Sequence, residues 1–169
     1  LQSGFSDEVV FGSQSIINLD PTLVLRIKPL STKYGTPGAT SPGEIRVRGT
    51  ALDSFDGRSW HLSRMALASS TMQGRVEEVN LSIPYTRSQR IKQRIMLEPN
   101  KSNNYLFALE TPFSFSFPFS RVPVIKNSEV LHVRLARQLP YALLYEAESF
   151  IRPSATEILS RSIPPVYRV

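Results

Sequence analysis

Apolar and polar side chains alternate along most of this chain, and the alternating stretches are short. The clearest one runs from Arg90 to Leu97, where Ile91, Gln93 and Ile95 follow basic residues one by one. Period-two alternation is typical of a strand with one buried face. Similar stretches predict strands at 22–28, 44–52, 58–62, 79–83, 105–109, 130–136 and 141–148. The pattern indicates an all-β fold, an antiparallel β-sandwich or flattened barrel of about eight short strands.

Breaks between these stretches follow the turn-forming residues, because the chain contains 13 prolines and 8 glycines. We expect the first strand to stop at Pro29, residues 30–43 to form a connection, and residues 65–74 to loop out. A capping-box pattern at 154–157 predicts a short C-terminal helix. We therefore expect a single β-domain over residues 1–152, and a helix or tail over 153–169 that leads towards a further domain.

The dipeptide Asp56-Gly57 predicts a two-residue β-hairpin turn, since this pair readily takes left-handed backbone angles. The strand after the turn carries Trp60, the only tryptophan of the chain. We expect its indole ring to pack on the core, with the ring N–H bonded to a backbone acceptor.

Four phenylalanines alternate with small residues between Phe113 and Phe119. An extended backbone would place the four rings on one side, and Pro118 favours an edge strand. The rings could close the interior of a sandwich, or they could form a patch that contacts a ligand or a protein.

The composition narrows the chemistry that the chain can perform. It has no cysteine, which excludes disulfides, thiolate metal sites and a thiol nucleophile, and its two histidines lack partners at ligand spacing. We expect no metal and no cofactor. No apolar run approaches the roughly 20 residues that a membrane-spanning helix needs.

Positive charge is concentrated in the middle of the chain, where residues 26–94 contain 12 basic and 5 acidic residues. If the strands that carry these cations are neighbours, they form a basic face that would attract an anionic membrane or polymer. The alternative is an ordinary solvated sheet face. Nucleic acid is disfavoured because no RNA-binding motif with interleaved aromatics is present. The candidate residues are Arg26, Lys28, Arg46, Arg48, Arg87, Arg90, Lys92 and Arg94.

Two other functions remain open. Trp60 and the phenylalanines could serve as stacking platforms in a β-sandwich that binds carbohydrate or a cell-envelope polymer; a buried Trp60 would exclude this. A small hydrolase could be built on Asp53, Ser59 and His61, provided that the three side chains converge in a pocket.

Several motifs, taken in order, resemble the segment that follows the membrane-spanning helices in bacterial transglutaminase-like membrane proteins of the TgpA type. The hairpin region carries Val47-Arg48-Gly49, Leu52-Asp53, Asp56-Gly57 and Trp60, where Val47 stands in place of the family's usual aromatic residue. The flanking parts of the resemblance are Gly4-Phe5-Ser6-Asp7, Gly12-Ser13, Leu19-Asp20, Leu25-Arg26-Ile27, Leu97-Glu98-Pro99 and residues 105–112.

The resemblance implies an extracytoplasmic domain, periplasmic or on the outer face of the inner membrane, between transmembrane helices and a transglutaminase-like catalytic module. The family's catalytic cysteine, histidine and aspartate lie beyond the matched region, so the chain would be a non-catalytic accessory domain. It would position the catalytic module or present substrate near the membrane. Its partners would be other domains of the same polypeptide and an anionic membrane or envelope surface. The implied structural motif consists of Arg48, Gly49, Asp53, Asp56, Gly57 and Trp60.

Overall fold

The computed structural model describes residues 8–10, 23–32, 47–83, 89–99 and 104–151. Thirteen strands and one short helix lie in these ranges, more elements than the sequence predicts because several strands have only two or three residues. In chain order they are β1 (Glu8–Val10), β2 (Leu25–Thr32), β3 (Val47–Arg48), β4 (Ser54–Phe55), β5 (Ser59–His61), α1 (Arg64–Ala68), β6 (Thr71–Val76), β7 (Glu78–Asn80), β8 (Gln89–Leu97), β9 (Ala108–Leu109), β10 (Thr111–Ser116), β11 (Val122–Asn127), β12 (His132–Leu135) and β13 (Leu143–Ile151).

The largest sheet has five strands in the order β2-β8-β13-β10-β7. Every pairing in it is antiparallel. Its central strand is β13, which pairs along its whole length with β8, from Ile151 opposite Gln89 to Leu143 opposite Leu97. The alternation predicted for β8 is confirmed, since Ile91, Gln93, Ile95 and Leu97 are buried and the residues between them are not.

A second antiparallel sheet, in the order β12-β11-β6, shares one apolar core with the first. The core cluster contains Ile95 and Tyr145 from the five-stranded sheet, and Val124 and Val133 from the three-stranded sheet. Two smaller antiparallel sheets complete the described fold, β1-β5-β4 and β3-β9. The predicted all-β antiparallel class is confirmed, and the described strands do not close into a barrel.

The prediction that residues 65–74 loop out is wrong, because this stretch contains most of α1 and most of β6. The helix begins after Ser63, whose hydroxyl accepts a hydrogen bond from the backbone N–H of Ala66 at 3.1 Å. This N-cap signal is only one residue long, and the helix has only five residues. Neither a single capping residue nor so short a helix is easily recognised in a stretch of small and polar residues.

The Phe113–Phe119 stripe does not keep its rings on one side. The register shifts between Pro112 and Ser114, where β10 pairs with β13, so Phe113 escapes the alternation. The rings of Phe115 and Phe117 are buried in the core, whereas Phe119 is 72% exposed. The edge position is wrong as well, since β10 lies between β13 and β7, and Pro118 stands two residues beyond the end of β10 at Ser116.

Two further strand predictions need correction. The first strand does not stop at Pro29, because β2 continues to Thr32 on the edge of its sheet, where a proline costs no ladder bond. The faces of β3 are reversed, since Val47 is exposed and Arg48 is partly buried.

The segment from Tyr105 to Leu109 was predicted as one strand, but only its last two residues form one. Its backbone is instead held by buried side chains of the five-stranded sheet. The Tyr145 hydroxyl accepts a bond from the Phe107 N–H at 2.9 Å and donates one to the Phe107 carbonyl at 2.8 Å. The Gln93 Oε1 atom accepts from the Leu109 N–H at 2.8 Å.

The predicted C-terminal helix and the tail over 153–169 lie outside the described residues, as does most of the predicted connection over 30–43.

Candidate functional site

Five of the predicted binding residues do lie together on one face of the five-stranded sheet. Arg26 and Lys28 project from β2, and Arg90, Lys92 and Arg94 from its neighbour β8. Lys28 stands directly opposite Arg94 in the register, which places the two side chains on the same face. We call these five residues the basic strip.

Carboxylates interrupt the positive charge of the basic strip. The Glu146 carboxylate, on the adjacent strand β13, is 2.8 Å from the Lys92 Nζ atom and 2.6 Å from the Arg94 Nη2 atom. Hydrogen bonds from Lys92 and then Arg94 lower the pKa of Glu146, and the bond to Glu146 raises the pKa of Lys92. Arg26 is paired in the same way with Glu98 at 2.5 Å.

Arg90 makes a different contact, with two aromatic rings. Its guanidinium carbon lies 5.3 Å from the ring centroid of Phe113 and 5.4 Å from that of Phe150. The two rings are themselves 4.6 Å apart. The geometry is a cation–π contact of the kind that holds an arginine in place. Arg90 therefore packs against side chains of the sheet and also contributes positive charge to its surface.

Arg48 is not part of the basic strip. Its Nη2 atom donates to the Val130 carbonyl at 2.9 Å, and burial lowers its pKa. The buried Nε atom finds no hydrogen-bond partner among the described residues. The next residue, Gly49, is buried. Arg48 therefore ties β3 to the turn after β11. Arg46 and Arg87 lie outside the described residues.

The predicted hairpin between β4 and β5 is present, and its turn contains Gly57 at φ +94°. Asp56, the other residue of the predicted dipeptide, does not take a positive φ. Asp56 instead caps the turn: its Oδ1 atom accepts from the backbone N–H groups of Arg58 at 2.8 Å and Ser59 at 2.6 Å. Its Oδ2 atom accepts from the Ser59 hydroxyl at 3.0 Å. These bonds, that from the Ser59 N–H first, lower the pKa of Asp56 to about 2.

Asp53 performs a similar task at the base of the hairpin. Its carboxylate accepts from the Ser63 hydroxyl and from the Ser63 N–H, both at 2.7 Å, and these bonds, that from the hydroxyl first, lower its pKa. The hydroxyl of Ser59 is directed to Asp56. The backbone N–H of Asp53 donates to the His61 carbonyl at 3.3 Å, but among the described residues no side-chain hydrogen bond joins Ser59, His61 and Asp53, so the triad of the hydrolase hypothesis is not assembled.

Trp60 does not pack on the core, and that prediction is wrong. Its side chain is 38% exposed and lies beside that of Phe55, with ring centroids 5.2 Å apart. In the register of the β1-β5-β4 sheet, Trp60 stands opposite Phe55 on one side and Val9 on the other. Phe55 is 47% and Val9 52% exposed. We call these three residues the apolar row.

Sequence reasoning missed Glu146 and the apolar row. Glu146 and Glu148 alternate with apolar residues along β13, which could have indicated an acidic strand beside the basic one. The apolar row carries no such signal, because Val9, Phe55 and Trp60 come together only through the pairing of three very short strands.

The described part of the chain contains no helix that is long and apolar enough to cross a membrane. It is an all-β domain built from several antiparallel sheets. The sequence model of the TgpA N-terminal domain matches residues 1–155, and the chain belongs to that family.

Two solved structures resemble the chain, both crystal structures of the periplasmic domain of TgpA from Pseudomonas aeruginosa. The one bound to ethylmercury is 18% identical and the other 16%. Each match covers 96% of this chain with a TM-score of 0.48, and 52% or 51% of the solved chain. The chain thus spans about half the length of the solved domains. No curated protein matches it.

Proposed function

We propose that the chain is a non-catalytic extracytoplasmic domain of a membrane-anchored, transglutaminase-like protein, in which it positions the catalytic module or presents substrate near the membrane. The observation that carries the proposal is the match over residues 1–155 to a family of N-terminal domains. The absence of cysteine supports it, because a transglutaminase-like reaction needs a thiol nucleophile.

The basic strip fits an accessory role better than a catalytic one. Its ion pairs join neighbouring strands of a sheet, and Lys28 and Arg94 remain exposed on the outer face. We propose that this face contacts an anionic surface, either the membrane or another domain of the same polypeptide.

The test compares two activities of the full-length protein, with and without residues 8–151. Incorporation of a fluorescent primary amine into a soluble acceptor protein should persist, whereas incorporation into membrane-attached acceptors should be lost. Loss of both activities, with the catalytic module folded, would assign the domain to the active site and contradict the proposal. Amine incorporation by the isolated 169-residue chain would contradict it too.

The role of the basic strip has its own matched pair of variants. Lys28→Glu reverses an exposed charge within the strip, and Arg137→Glu reverses an exposed charge elsewhere. We expect only Lys28→Glu to lower binding to vesicles that contain anionic lipid, and added salt to remove the difference. Equal binding by both variants would leave the strip without this role.

One observation favours a second candidate function, binding of carbohydrate or an envelope polymer. Trp60 is 38% exposed beside the exposed ring of Phe55, and an exposed aromatic ring is what a sugar-binding platform requires. Titration with peptidoglycan fragments should then change the fluorescence of Trp60.

A further inference from the structure

The chain crosses between the five-stranded sheet and the β12-β11-β6 sheet at two places that lie side by side. One crossing is Glu77, the single residue between β6 and β7, and the other is the connection of residues 117–121 between β10 and β11. The strands on either side of the crossings are paired, β7 with β10 and β6 with β11. The Phe117 N–H donates to the Glu77 carbonyl at 2.7 Å, so the two crossings also bond each other. The backbone at this corner of the fold is therefore fixed by both sheets.

A hollow of about 290 Å³ lies at the two crossings, lined by Glu77 and residues 116–121. We call it the corner hollow. Pockets for drug-sized ligands measure roughly 300–1,000 Å³, so the corner hollow suits a ligand no larger than one or two rings. The ring of Phe117 is buried in the core, whereas Phe119 is 72% exposed, compared with 38% for Trp60. Phe119 thus gives the corner hollow an accessible aromatic surface beside an anchored backbone.

The polar groups of the corner hollow form one ion pair. The Arg121 Nε atom donates to the Glu77 Oε1 atom at 2.6 Å, and the Arg121 Nη2 atom contacts the same oxygen. No described residue bonds the Glu77 Oε2 atom, and the two side chains are 65% and 67% exposed. Ser116 and Ser120 add hydroxyl groups to the lining. A hydrogen-bond acceptor and several donors therefore stand next to each other, open to a ligand.

This ion pair selects for an uncharged ligand. Because Glu77 and Arg121 neutralise each other, an incoming cation or anion gains little attraction unless it breaks the pair. A ligand with neighbouring hydroxyls leaves the pair intact, since one hydroxyl donates to the carboxylate while the next accepts from the guanidinium. The C–H face of a sugar ring is apolar enough to pack on Phe119. A saccharide ring combines these properties.

The hairpin that carries Trp60 lacks this combination. Its carboxylates are engaged within the hairpin, that of Asp56 with Arg58 and Ser59, and that of Asp53 with Ser63. An aromatic ring without polar groups to orient a sugar gives little specificity. The chemistry therefore favours the corner hollow over Trp60 as a place for a sugar.

We propose that the corner hollow binds one uncharged ring of a saccharide. Phe119 packs against the C–H face of the ring, the Glu77 carboxylate accepts from one hydroxyl, and Arg121 donates to its neighbour. An N-acetylated glycan and a plain glucan share this chemistry. The site goes beyond the accessory role proposed above and does not depend on it.

The test follows the backbone amides of the 169-residue chain by two-dimensional ¹⁵N NMR during titration with two uncharged trimers. One is the trimer of N-acetylglucosamine and the other is maltotriose. Amide shifts should concentrate at residues 77, 116, 117 and 119–121, and the trimer that binds more tightly identifies the type of glycan. Added salt should leave the affinity unchanged, in contrast to binding through the basic strip. The deacetylated trimer of glucosamine, which is cationic at mildly acidic pH, should bind more weakly than the better uncharged trimer.

Two phenylalanine variants form the matched comparison. Phe119→Ala removes the ring of the corner hollow and should weaken the affinity roughly tenfold. Phe55→Ala removes an exposed ring from β4 and should leave the affinity unchanged. Glu77→Gln removes the charged acceptor and leaves Arg121 unneutralised, so it should weaken binding of the uncharged trimer as well. Circular dichroism checks that all three variants fold.

The proposal would be overturned if neither uncharged trimer shifted the amides of the corner hollow, or if Phe119→Ala bound as tightly as Phe55→Ala. Tighter binding of the cationic trimer would show that Glu77 acts as a lone carboxylate, which contradicts selection for an uncharged ring. Shifts confined to residues 54–61 would assign the sugar to Trp60 instead. The activity comparison under Proposed function involves none of these measurements, so the accessory role and the saccharide site fail separately.

Discussion

Asp56 shows how one exposed carboxylate can hold a turn. It accepts three hydrogen bonds from Arg58 and Ser59, and its pKa of about 2 lies below the ordinary value of 3.8. A group whose pKa is depressed on folding stabilises the folded state above its unfolded pKa, and this contribution is lost as the pH falls through the folded pKa. The hairpin should therefore loosen as the pH falls from about 4 towards about 2.

Fluorescence of Trp60 measures this loss directly, because the ring lies on the strand that follows the turn. Asp56→Asn should weaken the pH response between about 4 and 2, since the amide does not titrate there. Glu129→Gln, an exposed change in another turn, should leave the response intact. The cap would have no part in the acid transition if both variants gave the parent's profile.

Tyr145 stabilises the fold through its hydroxyl. The group is buried, which raises its pKa, and it bonds both backbone groups of Phe107. Tyr145→Phe leaves a buried N–H and a buried carbonyl without this partner and should lower the free energy of unfolding by about 2 to 4 kcal/mol. Tyr141→Phe, at a residue that is 56% exposed, should change it by less than about 0.5 kcal/mol. Urea denaturation gives both values, and equal midpoints for the two variants would contradict the prediction.

Among the elements, α1 depends most on a single side chain. The Ser63 hydroxyl accepts from the Ala66 N–H and donates to the Asp53 carboxylate, so it joins the helix to the base of the hairpin. Ser63→Ala should reduce the free energy of unfolding by about 1 kcal/mol, as expected for a lost N-cap. Ser63→Thr keeps the hydroxyl and should recover most of that loss in the same denaturation experiment. A threonine variant as unstable as the alanine variant would show that the hydroxyl is not the cause.

How far the sequence predicts an element depends on how local its cause is. The strand β8 follows directly from the eight alternating residues between Arg90 and Leu97, since each inward position meets the same core. The fate of Phe113 does not, because the register shift depends on how β10 pairs with β13, a strand distant in sequence. The prediction that Trp60 packs on the core fails for the same reason. The environment of its ring depends on the pairing of β5 with β1 and β4, which brings Val9 and Phe55 beside it and which the sequence pattern does not reveal.

The basic strip illustrates the same limit for a candidate site. Five of its predicted members share a face, as alternation on β2 and β8 requires. The arrival of Glu146 beside Lys92 and Arg94 depends on strand order, which alternation does not reveal. The sequence thus predicts the cations of the site but not the degree to which they are neutralised.

At the scale of the whole molecule, the five-stranded sheet and the β12-β11-β6 sheet share the core, whereas the β1-β5-β4 sheet lies outside it. The core cluster takes residues from the five-stranded sheet and from β11 and β12, but it contains none of the described residues of β1, β4 or β5. Local stability follows buried apolar contact, so the β1-β5-β4 sheet should open more easily than the rest. Hydrogen exchange measured by mass spectrometry should show faster amide exchange in residues 54–61 than in residues 91–97 and 143–149. Equal protection of all three segments in solution would instead make the hairpin part of the cooperative core.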